Sequence, residues 1–227
     1  MRKNIILTVL RGFTFGITFV FVLFCACLTH IFYSDIFRLS PNEITRSLSN
    51  VLSNVTFHCK KIQDCHLLPG DILVRRYITE RTRLFDTMIH PYFTHSAFYL
   101  GDDKIAEAVG EEKNPINDIQ VATFSKSDWF DEEIESFVVI RPKKYNGKFE
   151  NVKEDLEKVA EDPDYRFGLP KQGEKITDCA DFIVTPLIKE GVLAFLNTPS
   201  YINPDYLFAL AIKSRSDFEI IGFYVRK

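Results

Sequence analysis

Thr94-His95-Ser96-Ala97-Phe98-Tyr99-Leu100, Gly101-Asp102-Asp103 and Lys104-Ile105-Ala106-Glu107-Ala108-Val109 follow one another without a break. Two runs of strand-forming residues around a Gly-Asp-Asp turn read as a β-hairpin. Side chains alternate along a strand, so His95 shares a face with Ala97 and Tyr99, while Ser96, Phe98 and Leu100 point the other way. The Phe98 face is the better core candidate. His95 is left on a face with a small neighbour and room for another group to approach. Whether Glu107 shares that face depends on the turn. An odd number of turn residues sets Glu107 near Ala97 or Tyr99, on the His95 face; an even number sends it to the opposite face. A carboxylate beside an imidazole fixes its tautomer and raises its pKa. The alternatives are an exposed strand Glu and a structural strand His.

Around the hairpin, Pro69-Gly70 marks a turn and Asp71-Ile72-Leu73-Val74-Arg75 a strand. Phe137-Val138-Val139-Ile140-Arg141 is a further strand, stopped by Pro142, and Phe218 to Val225 is a closing strand. Val152, Leu156 and Val159 recur at helical spacing and predict a helix from Phe149 to Glu161. Thr177 is placed to cap a helix carrying Cys179, Phe182, Ile183 and Leu187, which Pro186 is expected to kink or end early. Pro204 opens another helix. Helices and strands do not strictly alternate, so the expected class is α+β: a mostly antiparallel sheet with helices packed on it, over residues 67–227.

Cys179 lies at the predicted N-terminus of its helix, in Thr177-Asp178-Cys179-Ala180-Asp181-Phe182. The partial positive charge there favours the nucleophilic thiolate. Asp178 and Asp181 oppose it, and a buried, inert cysteine is the plain alternative.

The N-terminus reads differently. Arg2, Lys3 and Arg11 are the charges of the first 34 residues, and 12–34 carry none. As a helix that stretch is roughly 33 Å long, enough to cross a bilayer core. Phe24-Cys25-Ala26-Cys27 faintly resembles a bacterial lipoprotein cleavage site, but the apolar run continues beyond it. The reading is therefore an uncleaved membrane anchor over 1–34. Basic residues precede the anchor and Asp35 follows it, which puts the rest of the chain on the extracytoplasmic side. Residues 35–66 form a linker, with a short amphipathic helix opened by Ser40-Pro41-Asn42-Glu43. Cys59 and Cys65 close its end. In an oxidising compartment their expected fate is a disulfide, with a zinc site shared with His58 and His66 and free thiols as alternatives.

Lys plus Arg is 28 against 31 for Asp plus Glu, so a net charge of −3 gives no basic excess for a nucleic-acid partner. The chemistry read here needs neither cofactor nor metal.

Taken in order, Leu68-Pro69-Gly70-Asp71-Ile72-Leu73, Thr94 to Asp102, Ile105-Ala106-Glu107-Ala108 and Asp178-Cys179-Ala180-Asp181-Phe182 resemble the circularly permuted, papain-like amidases of the NlpC superfamily, in particular the YaeF/YiiX-like branch. The resemblance covers roughly Leu67 to Leu207. It implies a permuted papain-like fold in which Cys179 is the nucleophile, His95 its base and Glu107 the group that orients the imidazole. It also implies an oxyanion role for Tyr165, which stands 14 residues before Cys179. The chain departs from the family in carrying Ala180 and Asp181 where Ser and Glu usually follow the Cys. The implied function is a membrane-anchored thiol amidase or peptidase acting on peptide amides, with cell-wall peptides as one substrate. Cys179-Ala180-Asp181-Phe182 is also similar to the Asn-Cys-Glu-His signature of lecithin-retinol acyltransferase-like enzymes, which implies a lipid-acyl substrate instead. A catalytically inactive, membrane-tethered binding module is the third reading.

A reporter fused after Lys227 tests the topology. Alkaline phosphatase activity is expected, removal of residues 1–34 should release a soluble protein, and a signal confined to the cytoplasm would reverse the orientation.

Overall fold

The computed structural model of the chain describes residues 59, 61–77, 92–109, 119–145, 147–168, 175–193 and 202–225. The anchor over 1–34 and the linker helix after Ser40 lie outside these residues. Among the described residues, no helix is long and apolar enough to cross a membrane.

Six described strands form one antiparallel sheet: β1 (Ile72–Tyr77), β2 (His95–Gly101), β3 (Lys104–Ala108), β4 (Ile119–Thr123), β5 (Ile134–Pro142) and, last in the chain, β8 (Phe218–Val225). Their spatial order is β4-β3-β2-β1-β5-β8. A separate short ladder pairs β6 (Arg166–Phe167) with β7 (Ile176–Thr177) in parallel. Three described helices complete the set: α1 (Phe149–Glu161), α2 (Cys179–Lys189) and α3 (Pro204–Lys213). The architecture is α+β with an antiparallel principal sheet.

Both faces of the sheet are covered. Ile72, Val74, Phe98, Ala106 and Val138 pack on one side with Val152 and Leu156 of α1, Ile183 and Leu187 of α2 and Phe208 of α3. On the other side Leu73, Ala97, Ile105 and Val139 pack against Trp129, Phe124 and the turn that carries Cys59, Ile62 and Cys65. The Phe98 face is therefore core as expected, but the Ala97 face is no open surface. Ala97 and Trp129 are both fully buried.

Several local expectations are corrected. Asp178, not Thr177, caps α2: its Oδ1 accepts the N–H groups of Ala180 and Asp181 at 2.9 and 2.8 Å. The helix runs through Pro186 to Lys189, because the buried face made by Phe182, Ile183, Val184 and Leu187 outweighs one missing backbone bond. β5 ends on Pro142, as expected, but begins three residues earlier than the apolar run, at Ile134. β4, of five residues, and β6 and β7, of two each, are too short to stand out in the sequence.

The hairpin register is set by one extra residue. Asp102 and Asp103 form the tip at φ +50° and +59°, between Gly101 and Lys104. Leu100 then has no partner, and the pairing shifts so that Tyr99 faces Ile105 and Ala97 faces Glu107. Gly101 at φ +92° makes the kink, and a Cβ there would sit 2.9 Å from Pro69.

Cys59 and Cys65 are joined by a disulfide. It rests on β8, where Gly222 has no side chain to obstruct it: a Cβ at that position would collide with Cys59 Sγ and lie 3.0 Å from Cys65 Sγ. Gly222→Ala should therefore lower stability by about 1–3 kcal/mol through overpacking. Thermal unfolding of the full chain in detergent is the readout. The penalty should shrink in a Cys59→Ala/Cys65→Ala background, and an equal penalty in both backgrounds would show that the disulfide is not what Gly222 accommodates.

Candidate active site

His95 and Glu107 are brought together by the shifted hairpin. Glu107 pairs with Ala97, two residues from His95 on the same face, and His95 Nε2 lies 3.0 Å from Glu107 Oε2. The odd turn parity is the one realised. Glu107 is 2% exposed and has two further donors. Gln120 Nε2 donates to Oε1 at 3.0 Å and Trp129 Nε1 donates to Oε2 at 3.2 Å. Burial pushes the Glu107 carboxyl up, but the bonds from His95 and Trp129 and the charge of Arg75 hold it below its ordinary range. An ionised carboxylate only accepts hydrogen bonds, so a neutral His95 carries its proton on Nε2 and exposes a lone pair on Nδ1.

The expected rise of the imidazole pKa is corrected. Burial and the nearby Arg75 guanidinium lower it, and they outweigh the raising effect of Glu107. The resting His95 is a neutral base.

Cys179 approaches from the other layer. It is the first residue of α2 and packs with the helices, whereas the His95 ring lies toward Trp129, with ring centroids 5.8 Å apart. The two meet at the start of β2. Cys179 Sγ is 4.0 Å from the carbonyl oxygen of Thr94, the residue before His95. Ser96 Oγ donates to the Cys179 carbonyl at 2.9 Å and pins the helix start to β2. The sulfur makes no hydrogen bond to the imidazole. Burial, with Asp178 second, pushes the thiol up to about 12, so the helix terminus does not prevail. Asp178 itself is pushed up to about 6 by burial, against the two N–H groups it caps, and its Oδ2 is buried without a partner.

Tyr165 is placed by the β6–β7 ladder. Arg166 pairs with Ile176, so Tyr165 lies level with Lys175, whose Nζ is 5.9 Å from the Tyr165 ring centroid. The ladder thus runs beside the segment leading into Cys179, but Tyr165 makes no hydrogen bond to the cysteine. The Cys59–Cys65 disulfide lies on the Trp129 side of the sheet. A cavity of about 490 Å³ on that side is lined by Ile62, Trp129, Phe137 and Tyr224 and includes none of Cys179, His95 and Glu107.

Sequence reasoning missed Gln120, Trp129, Arg75 and Ser96. Gln120 and Trp129 lie in segments with weak periodicity, although the single Trp of the chain was a signal in itself. Arg75, a cation at the end of an apolar strand, was visible but had no partner within view.

No protein-family model matches the chain, and no curated protein matches it.

The thiol makes a prediction against the usual behaviour of an active cysteine. With a midpoint of about 12, on the order of 10⁻⁴ of Cys179 is thiolate near pH 8. Iodoacetamide should therefore alkylate Cys179 much more slowly in the native chain than in urea, as read by mass spectrometry of its peptide. Native labelling as fast as unfolded labelling would mean that the thiol is not suppressed.

Proposed function

We propose that the chain is a membrane-anchored cysteine hydrolase of permuted papain-like, NlpC-type architecture, using Cys179, His95 and Glu107 on a peptide amide. The observation that carries the reading is the bond between His95 Nε2 and the buried Glu107 carboxylate, which leaves Nδ1 as the basic nitrogen at the start of β2, near the start of α2. The chain order of strand His, adjacent-strand carboxylate and helix-terminal Cys supports it as well.

In this mechanism the sulfur turns from the Thr94 carbonyl toward Nδ1 as substrate enters. Nδ1 takes the thiol proton while Sγ bonds to the carbonyl carbon. Glu107 stabilises the imidazolium that forms. The C–N bond breaks, the amine leaves with the proton from Nδ1, and a thioester remains on Cys179. Water, deprotonated by the same nitrogen, hydrolyses it. The backbone N–H of Cys179 and the Tyr165 hydroxyl are the oxyanion donors that the family resemblance implies. The anchor would hold this domain on the extracytoplasmic side, within reach of cell-wall peptides. The same anchor favours a second reading, a lipid-acyl substrate and a thioester formed from an ester.

Mass spectrometry of Cys179 after incubation with peptidoglycan peptides and, separately, with phospholipid decides between them by which leaves an acyl adduct. Cys179→Ala and His95→Ala should abolish turnover with the fold intact. Glu107→Gln should be milder, because an amide still accepts the ring N–H but does not stabilise the cation. Tyr165→Phe should cost about 10²–10³ or less in rate. Turnover that survives Cys179→Ala would remove the hydrolase reading.

A further inference from the structure

Arg75 is a cation where a strand normally places an apolar residue. It lies on β1, one of the two central strands, and is 2% exposed. In the β1–β2 register it stands directly opposite His95. Its Nη1 pairs with Asp128 Oδ1 at 2.7 Å. Its guanidinium carbon lies 4.5 Å from the ring centroids of both Tyr77 and Trp129. Its Nε is buried and makes no hydrogen bond.

Such a burial is expensive. A buried ion pair gains little over apolar residues of similar volume, so fold stability alone gives weak grounds for an arginine here. Its surroundings supply another role. Trp129 carries the guanidinium on its face and the Glu107 carboxylate on its indole N–H. One ring therefore links the cation to the carboxylate that holds His95.

We propose, resting on the hydrolase reading, that Arg75 is a positioning residue: fixed between Tyr77 and Trp129 opposite His95, it keeps the imidazole uncharged and Glu107 ionised, so that Nδ1 stays available to the Cys179 thiol. The charged groups that act on His95 are Arg75 from β1, Glu107 from β3 and Asp128 from the turn before β5. Tyr77 lies against the Arg75 guanidinium, and Cys179 stands at the start of α2. Burial keeps Tyr77 and Cys179 protonated and neutral. Of the charged groups, Glu107 and Asp128 favour the imidazolium and Arg75 opposes it. Arg75 and Asp128 therefore act on His95 with opposite signs, and the two can be separated.

The test is a pH titration of His95 by NMR on the full chain in detergent micelles, with ¹⁵N-labelled histidine. The resonance is assigned by its loss in His95→Gln. Removing Arg75 as Arg75→Gln should move the His95 midpoint up by about one pH unit. The acid limb of Cys179 acylation should move up with it, since the base is then lost at higher pH. Arg75→Lys should restore most of the wild-type midpoint. Asp128→Asn keeps the buried cation and removes its counterion, so it should move the midpoint down, which provides a measurement even if Arg75→Gln does not fold. A His95 midpoint unchanged in Asp128→Asn, or in a folded Arg75→Gln, overturns the proposal. Failure of the hydrolase reading shows separately, as a wild-type Cys179 that never forms an acyl adduct.

Discussion

Leu100 has no partner on β3, and the placement of the candidate catalytic groups depends on that one unpaired residue. A tip at Asp102 and Asp103, continued without a bulge, would pair Glu107 with Phe98 and turn its carboxylate toward the helices. The bulge shifts the ladder by one, and a shift of one exchanges the two faces of a strand. Glu107 then falls beside His95, and Ala106 and Ala108, which would otherwise have faced Trp129, go to the helix side. The small residues fit there because α1 and α2 pack close to β3. Glycine at 101, with its positive φ and its contact with Pro69, is what allows the kink.

Once Glu107 is buried, the rest of the Trp129 side follows from the need to satisfy it. A carboxylate at 2% exposure is stable as an anion only with donors around it. His95, Gln120 and Trp129 supply three, from β2, β4 and the turn before β5. These contacts tie the outer strands and the turn to one point. Arg75 adds the compensating charge without touching the carboxylate. The helix side is organised separately, by Ser96 bonding the Cys179 carbonyl and by Asp205 of α3, which accepts the N–H groups of Tyr92 and Phe93 at 2.7 and 2.8 Å. His95 and Cys179 thus belong to different layers that are fastened to the two sides of the same strand end.

Much of this was readable from the residues, and the failures have identifiable causes. The helix from Phe149 to Glu161 was legible from its helical periodicity, and the strand from Phe218 to Val225 from a nearly continuous run of strand-forming apolar residues. The proximity of His95 and Glu107 was legible as one of two parities, and no rule read from Gly101-Asp102-Asp103 alone chooses between a plain turn and a bulged one. The charge on His95 was misjudged because its burial, the larger cause, depends on what packs over it, and the opposing cation comes from β1, twenty residues earlier, in a register that is not written locally. The thiol was misjudged for a related reason. A helix terminus is visible in the sequence, but the depth to which it is buried depends on what packs over it.

That depth bears on how a cysteine of this kind persists. On the proposed topology the domain faces an oxidising compartment, in which Cys59 and Cys65 are already bonded. Cys179 is the free thiol among the described residues, 6% exposed and with its midpoint pushed up to about 12. Oxidation and disulfide exchange both begin from the thiolate. The burial that suppresses the thiolate therefore slows both reactions, at the expense of a nucleophile that is inactive at rest. On the proposed hydrolase mechanism a neutral His95 suits this arrangement better than a preformed ion pair would, because there the proton moves only once a substrate carbonyl is in place to receive the sulfur. Beside the larger effect of burial, Arg75 and Asp178 work in the same direction: one disfavours the imidazolium and the other disfavours the thiolate.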